Sequence, residues 1–139
     1  HSVMLDGDWC WDAHPFIVND ETKKMVMDNI VYQLQSFIHC SVIENIIFCW
    51  VLHDQSIIDE ICQRLDTSQC QVYSISLLCN EDTLRQHLQK DIDLKIRDES
   101  VIERSLERMG HYHDLLTYKI DISSLSPKEI VECVLDYIQ

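Results

Sequence analysis

Asp6 and Asp8 stand one residue apart, directly after the apolar run Val3-Met4-Leu5 and directly before Trp9 and Trp11. On an extended chain an Asp-x-Asp pair puts both carboxylates on one side. Two carboxylates so placed suit a Mg²⁺ ion or a substrate hydroxyl. Open α/β sheets bind ligands beyond the carboxyl ends of their parallel strands, where this pair would lie. A plainer reading stays open: a capping aspartate and a turn, Asp-Gly being a frequent turn pair. Trp9, Trp11 and Phe16 crowd three large aromatics into eight residues. They either line a pocket beside the carboxylates or pack into the core.

A second group is cationic. Arg104 and Arg108 are four apart and share a helix face, and Arg97 precedes them in a polar stretch. Glu99, Glu103 and Glu107 are interleaved, so a salt-bridged surface helix is the competing reading. His53 and Asp54 follow a long apolar run. Asp54 is placed to cap the next helix. His111-x-His113 lacks the further ligands of a zinc site and reads as a surface loop. No Ser-His-Asp or nucleophilic-cysteine arrangement stands out.

The elements that must carry these residues alternate between short apolar runs and amphipathic stretches, the pattern of parallel βα units. Val3–Leu5 is the first strand, and a helix is expected from Glu21 to His39. Asn45–Leu52 is apolar almost throughout, which predicts a strand covered on both faces. A helix over Gln55–Leu65 presents Ile57, Ile58, Ile61, Cys62 and Leu65 as one stripe. Gln71–Leu78 is the third strand, and Asn80 caps a helix carrying Leu84, Leu88 and Ile92. Ser100 with Glu103 reads as a capping box. Thr117–Ile122 is the last strand. Ser126-Pro127-Lys128-Glu129 combines a capping box with proline in the first turn of a final helix. In that helix Ile130, Val131, Val134, Leu135 and Ile138 face the sheet. The expectation is a single domain over residues 1–139.

Composition narrows the partners. The chain has 11 Lys and Arg against 24 Asp and Glu, a net charge of −13. Such a balance argues against a sequence-independent grip on nucleic acid or on an anionic membrane. No apolar run reaches the length of a membrane span, and no signal-peptide pattern is seen. The seven cysteines include no C-x-x-C pair. They are expected to be reduced, mostly buried thiols of a cytoplasmic protein. Only two glycines occur, few for an α/β enzyme, and the chain opens on His1. Both fit a segment that starts inside a longer gene product.

The residues at the strand ends give the chain a family likeness. Leu5-Asp6-Gly7-Asp8-Trp9-Cys10-Trp11, His14-Pro15-Phe16, Ile46–Leu52, Ile96–Met109, Lys119-Ile120-Asp121-Ile122-Ser123 and Ser126-Pro127 carry it. With these, the chain from Val3 onward resembles the P-loop small-molecule kinases: shikimate kinase, gluconate kinase, chloramphenicol phosphotransferase and the adenylate-kinase-like enzymes. The likeness is greatest to uncharacterised AAA-type ATPase or kinase-like proteins. It implies a three-layer α/β fold with a parallel sheet of order 2-3-1-4-5. The first strand, the G-x-x-x-x-G-K-[ST] loop and the first helix of that family have no counterpart in this sequence. The absent strand would be central, between those corresponding to Asn45–Leu52 and Gln71–Leu78. Its removal leaves two apolar strand edges and favours self-association.

The resemblance also implies roles. Asp6 would lie near Mg²⁺, and Asp8 and Arg97 would serve the transfer itself, Asp8 by holding the acceptor hydroxyl. Trp9, Trp11, Phe16 and His53 would line the acceptor site. Residues 93–114 would be a lid over ATP, with Arg97, Arg104 and Arg108 on the phosphates. Asp121 and Ser123 fall in the loop that meets the adenine. The expected activity is transfer of the γ-phosphoryl group of ATP to a small acceptor, with Mg²⁺, by a protein that supplies the phosphate loop. This segment alone would be inactive. The alternatives are a non-catalytic α/β domain that binds a nucleotide or a protein, and a receiver-type phosphoacceptor built on Asp6, Asp8, Asp54 and Lys119.

Overall fold

The computed structural model describes residues 1–139, which divide into two compact units, His1–Val72 and Tyr73–Gln139. Both are mixed α/β.

In the first unit, β1 (Ser2–Asp6) runs into a 3-10 turn (Gly7–Trp11) and then α1 (Asp20–Ile38). β2 (Asn45–Cys49) and α2 (Gln55–Arg64) come next. β1 and β2 are parallel, in a register that sets Leu5 opposite Phe48 and Asp6 opposite Cys49. α1 begins where the sequence says it should. Asn19 caps it with a side-chain bond of 2.8 Å from the Thr22 amide, and Thr22 Oγ1 accepts from the Asn19 amide. Its inward face, Val26, Met27, Ile30 and Leu34, packs with Leu5, Cys10 and Ile61 into one core. Ile30 is wholly buried. Arg64, at the end of α2, bridges Glu60 and Asp28 and so ties α2 to α1.

The second unit holds β3 (Ile75–Leu78), α3 (Glu81–Asp93), α4 (Ser100–Met109), α5 (His111–Asp114), β4 (Tyr118–Asp121) and α6 (Pro127–Ile138). β3 and β4 pair in parallel, Ile75 opposite Tyr118. Leu88, Val101, Leu115 and Ile120 are its buried apolar residues. Ser76, also buried, is satisfied by a 2.7 Å hydroxyl bond to Thr117. Tyr137 stacks flat on Tyr118 with ring centres 3.8 Å apart, and its edge meets Tyr73.

Several expectations are corrected. β2, β3 and β4 are shorter than the expected Asn45–Leu52, Gln71–Leu78 and Thr117–Ile122, because only part of each run is laddered, whereas β1 extends one residue beyond Val3–Leu5 at each end. β2 is covered on one face only: Ile46 and Phe48 pack inward, whereas Ile47 is 57% exposed. A parallel strand of continuous apolar character normally has cover on both sides. α6 likewise leaves Val131 and Leu135 in solvent rather than against a sheet. Ser100 forms no capping box with Glu103. Asp98 takes the Ser100 amide and hydroxyl instead, two residues earlier. All seven cysteines are free, but only Cys10 is buried, and Cys49, Cys62 and Cys70 are exposed. The expected Asp54, Asn80 and Ser126 caps form, and Asn19, for which no cap was expected, caps α1.

Candidate functional site

The carboxyl ends of β1 and β2 lie side by side, since the strands are parallel and in register to Asp6 and Cys49. The residues just past one strand therefore meet those just past the other. After β1 the chain closes into the 3-10 turn instead of remaining extended. Asp6 is its cap, with Oδ1 accepting the Asp8 amide at 2.9 Å. Asp6 and Asp8 thus do not project as a simple extended pair. α1 holds the turn from beneath: Asn29 donates to the Cys10 carbonyl at 3.3 Å and Gln33 to Cys10 Sγ at 3.1 Å. The Cys10 thiol is pushed up by burial first, with Asp6 adding to it, against the opposing pull of Gln33.

Trp50, one residue beyond β2, completes the edge. Its indole Nε1–H donates to Asp8 Oδ1 at 3.0 Å. Its ring covers Gly7 closely enough that a Cβ there would lie 2.3 Å from the Trp50 Cγ. Cys49 is near the same carboxylates. Its thiol is pushed up by burial first, then by Asp6 and Asp8. Sequence reading assigned no role at this edge to Trp50, Cys49 or Gly7. The signal was present in principle, because parallel neighbours bring the residues after their carboxyl ends together.

The aromatics divide. Trp11 packs on the core and Phe16 packs on Trp11, with ring centres 5.2 Å apart. Trp9 is 64% exposed and Phe16 62%. Trp9, which follows Asp8 directly, offers open apolar surface at the acidic edge. His53 Nδ1 lies 3.4 Å from the Val51 carbonyl, and Asp54 caps α2 through the Ser56 amide and hydroxyl at 2.8 and 2.7 Å.

The arginines belong to the second unit. Arg97 pairs with Asp91 at 3.3 Å. Arg104 turns back to donate to the Ser100 carbonyl at 3.3 Å. Arg108 lies close enough to Tyr112 to draw its phenol down while burial pushes it up more strongly. The ion pairs of this unit are Arg85–Glu81, Arg97–Asp91 and Lys128–Glu132, so Glu99, Glu103 and Glu107 do not form the salt-bridged face with Arg104 and Arg108. Asp121 and Ser123 brace a loop. Asp121 accepts the Ser123 amide and hydroxyl, and Ser123 Oγ accepts the Asn80 amide at the start of α3. The Ser123 bonds hold the Asp121 carboxyl below the usual range. Lys119 is spent on the Leu115 and Thr117 carbonyls. A groove of about 440 Å³ between α3 and α4 is lined by Arg85, Gln89, Glu99 and Glu103, and none of the site residues expected from sequence lines it.

The donor set can be weighed against the groups the kinase likeness implies. No cluster of three or more His, Cys, Asp or Glu side chains could hold a metal by itself. Mg²⁺ ordinarily needs only one or two carboxylates, completing its shell with water and phosphate oxygens, so Asp6 and Asp8 fit that part. A triphosphate cradle is not formed by these residues. Of the two glycines, Gly7 is covered by Trp50 and Gly110 lies between α4 and α5. No helix is long and apolar enough to cross a membrane.

Comparison with known proteins adds one observation. A tunicamycin resistance protein of Deinococcus radiodurans has a solved structure that superposes with a TM-score of 0.68. The match covers 99% of this chain and 82% of that one, at 13% sequence identity. The likeness shows a shared α/β fold. No family model matches the chain. No curated protein matches it either.

Proposed function

We propose that this chain is the acceptor-side and lid portion of an ATP-dependent small-molecule phosphotransferase of the P-loop kinase type, working in the cytoplasm. The observation that carries the reading is the acidic edge at the joined ends of β1 and β2, where Asp8 is held by Trp50 and followed directly by the exposed Trp9. A fixed carboxylate beside open apolar surface suits a hydroxyl on a small, largely apolar acceptor. The strand pairings support it. β1 with β2 and β3 with β4 are the two parallel pairs left when the middle strand of the order 2-3-1-4-5 is taken out.

In this reading Asp8 accepts the hydrogen bond of the attacking hydroxyl and directs its oxygen, while Trp9 and Phe16 shed water from the acceptor. Asp6 secures the turn that carries Asp8 and stands next to where Mg²⁺ would be held. The kinase likeness alone assigns Arg97, Arg104 and Arg108 of the second unit to phosphate oxygens. No G-x-x-x-x-G-K-[ST] loop stands in these 139 residues, so the reading requires one supplied from elsewhere. The structural neighbour's name makes tunicamycin one acceptor to test.

Calorimetric titration with Mg·ATP decides the matter, on this chain and on one extended upstream through a G-x-x-x-x-G-K-[ST] segment. Binding by the extended form alone supports the proposal. Absence of binding by both, when both are folded, overturns it. That result would favour a non-catalytic domain, for which the use of Asp6 as a helix cap is the specific support.

A further inference from the structure

Asp8 sits on the surface, where a carboxylate ordinarily rotates freely and loses orientation with every solvent exchange. Here it does not stand alone. Trp50 comes from 42 residues downstream, and its indole Nε1–H reaches Asp8 Oδ1 at 3.0 Å. The ring that bears this donor is itself fixed. The half-buried Trp50 packs against the core of the first unit, and the ring lies over Gly7, the one residue of the turn without a Cβ. A donor whose ring is locked by packing holds its acceptor within a narrow range of directions. A carboxylate has two oxygens and about four acceptor positions. The indole engages Oδ1, which leaves capacity for a substrate hydroxyl.

We infer that Trp50 is the positioning residue for Asp8: with Gly7 as its seat, it sets the direction in which that carboxylate meets an acceptor hydroxyl. The inference rests on the reading of Asp8 as the acceptor-side carboxylate, and adds to it a residue that acts only through Asp8. It gives Gly7 a role other than making a turn. Any side chain at Gly7 must displace the indole, and with it the hydrogen bond, although neither bonded partner has been altered.

The three tryptophans give three indole N–H signals in a nitrogen-edited spectrum, and Trp50→Phe identifies its own by loss. In Asp8→Ala the Trp50 signal should shift, and its exchange with solvent should quicken about tenfold or more, the protection a hydrogen bond to a charged group gives. Gly7→Ala should do the same. Asp12→Ala, just past the end of the turn, should not. Unchanged exchange in Asp8→Ala overturns the inference whatever the protein's activity. In the form that turns over Mg·ATP, Trp50→Phe should lower kcat about 10- to 100-fold, the usual cost of a misdirected group, with the KM for ATP unchanged. Wild-type kcat in Trp50→Phe also overturns it. If instead Asp8→Ala shows the altered indole signal but full turnover, the phosphotransfer role of Asp8 fails, and the bond is structural only.

Discussion

Gly7 and Trp50 occupy one volume between them: the indole of Trp50 lies where a side chain on Gly7 would begin, 2.3 Å from the position of its missing Cβ. The contact joins the turn after β1 to the residue after β2. It explains why one of only two glycines falls between two aspartates. Gly7→Ala should cost about 1–3 kcal/mol of stability by overpacking, measured by urea unfolding. A neutral result would mean that the indole has room to slide.

Cys49 offers a chemical reading of the same edge. Burial, Asp6 and Asp8 all push its thiol up. Replacing either aspartate by asparagine removes a negative charge, so Cys49 should be alkylated faster at neutral pH, followed by mass spectrometry. Cys10, buried and bonded by Gln33, should be the last of the seven to react. An unchanged Cys49 rate in both asparagine variants would place the carboxylates away from the thiol.

The link between α1 and α2 should be pH-dependent. Lys24 first, then Arg64, hold the Asp28 carboxyl below its usual range. A folded-state pKa lowered in this way adds stability above the unfolded value, about 3.9 for aspartate, and that stability fades as pH falls through the lower folded value. Asp28→Asn should therefore destabilise at pH 7 and matter progressively less in stronger acid. Equal destabilisation at both ends of the range would show that the carboxylate charge is not what counts.

Ile30 has no exposed surface and stands at the centre of the first unit's core. Ile30→Ala should cost about 2–5 kcal/mol, the range for emptying a buried aliphatic site. At the other end of the chain, Ser126→Ala removes the side chain that accepts the Glu129 amide, and donates to its carboxylate, in the α6 cap. About 1 kcal/mol is expected there. Thermal melts of the two variants should rank in that order, and the reverse order would contradict the tight packing around Ile30.

Much of the local structure was legible from residue types. Asp54, Asn80 and Ser126 cap helices because a short polar side chain before an apolar-periodic stretch satisfies an amide left open by helix geometry, a matter settled within four residues. The α1 stripe of Ile30 and Leu34 follows from helical period alone. The α/β class followed from alternation of apolar runs with such stripes. Ser100 misled because Asp98 competes for the same amide from two residues earlier.

Other features depended on what the chain folds against. Asn45–Leu52 reads as a strand covered on both faces, yet Ile47 is exposed, since hydrophobicity records what a surface can bury and not what is present to bury it. Asp6 and Asp8 were legible as a chemical pair, but the 3-10 turn that separates their tasks was not. Nothing local ties Trp50 to Asp8, which are 42 positions apart. Sequence by itself determined most of the elements, the caps at Asp54, Asn80 and Ser126, and the carboxylates at a strand end. The parallel register of β1 with β2 decided which residues meet there, because a backbone ladder brings together positions whose separation along the chain carries no local signal.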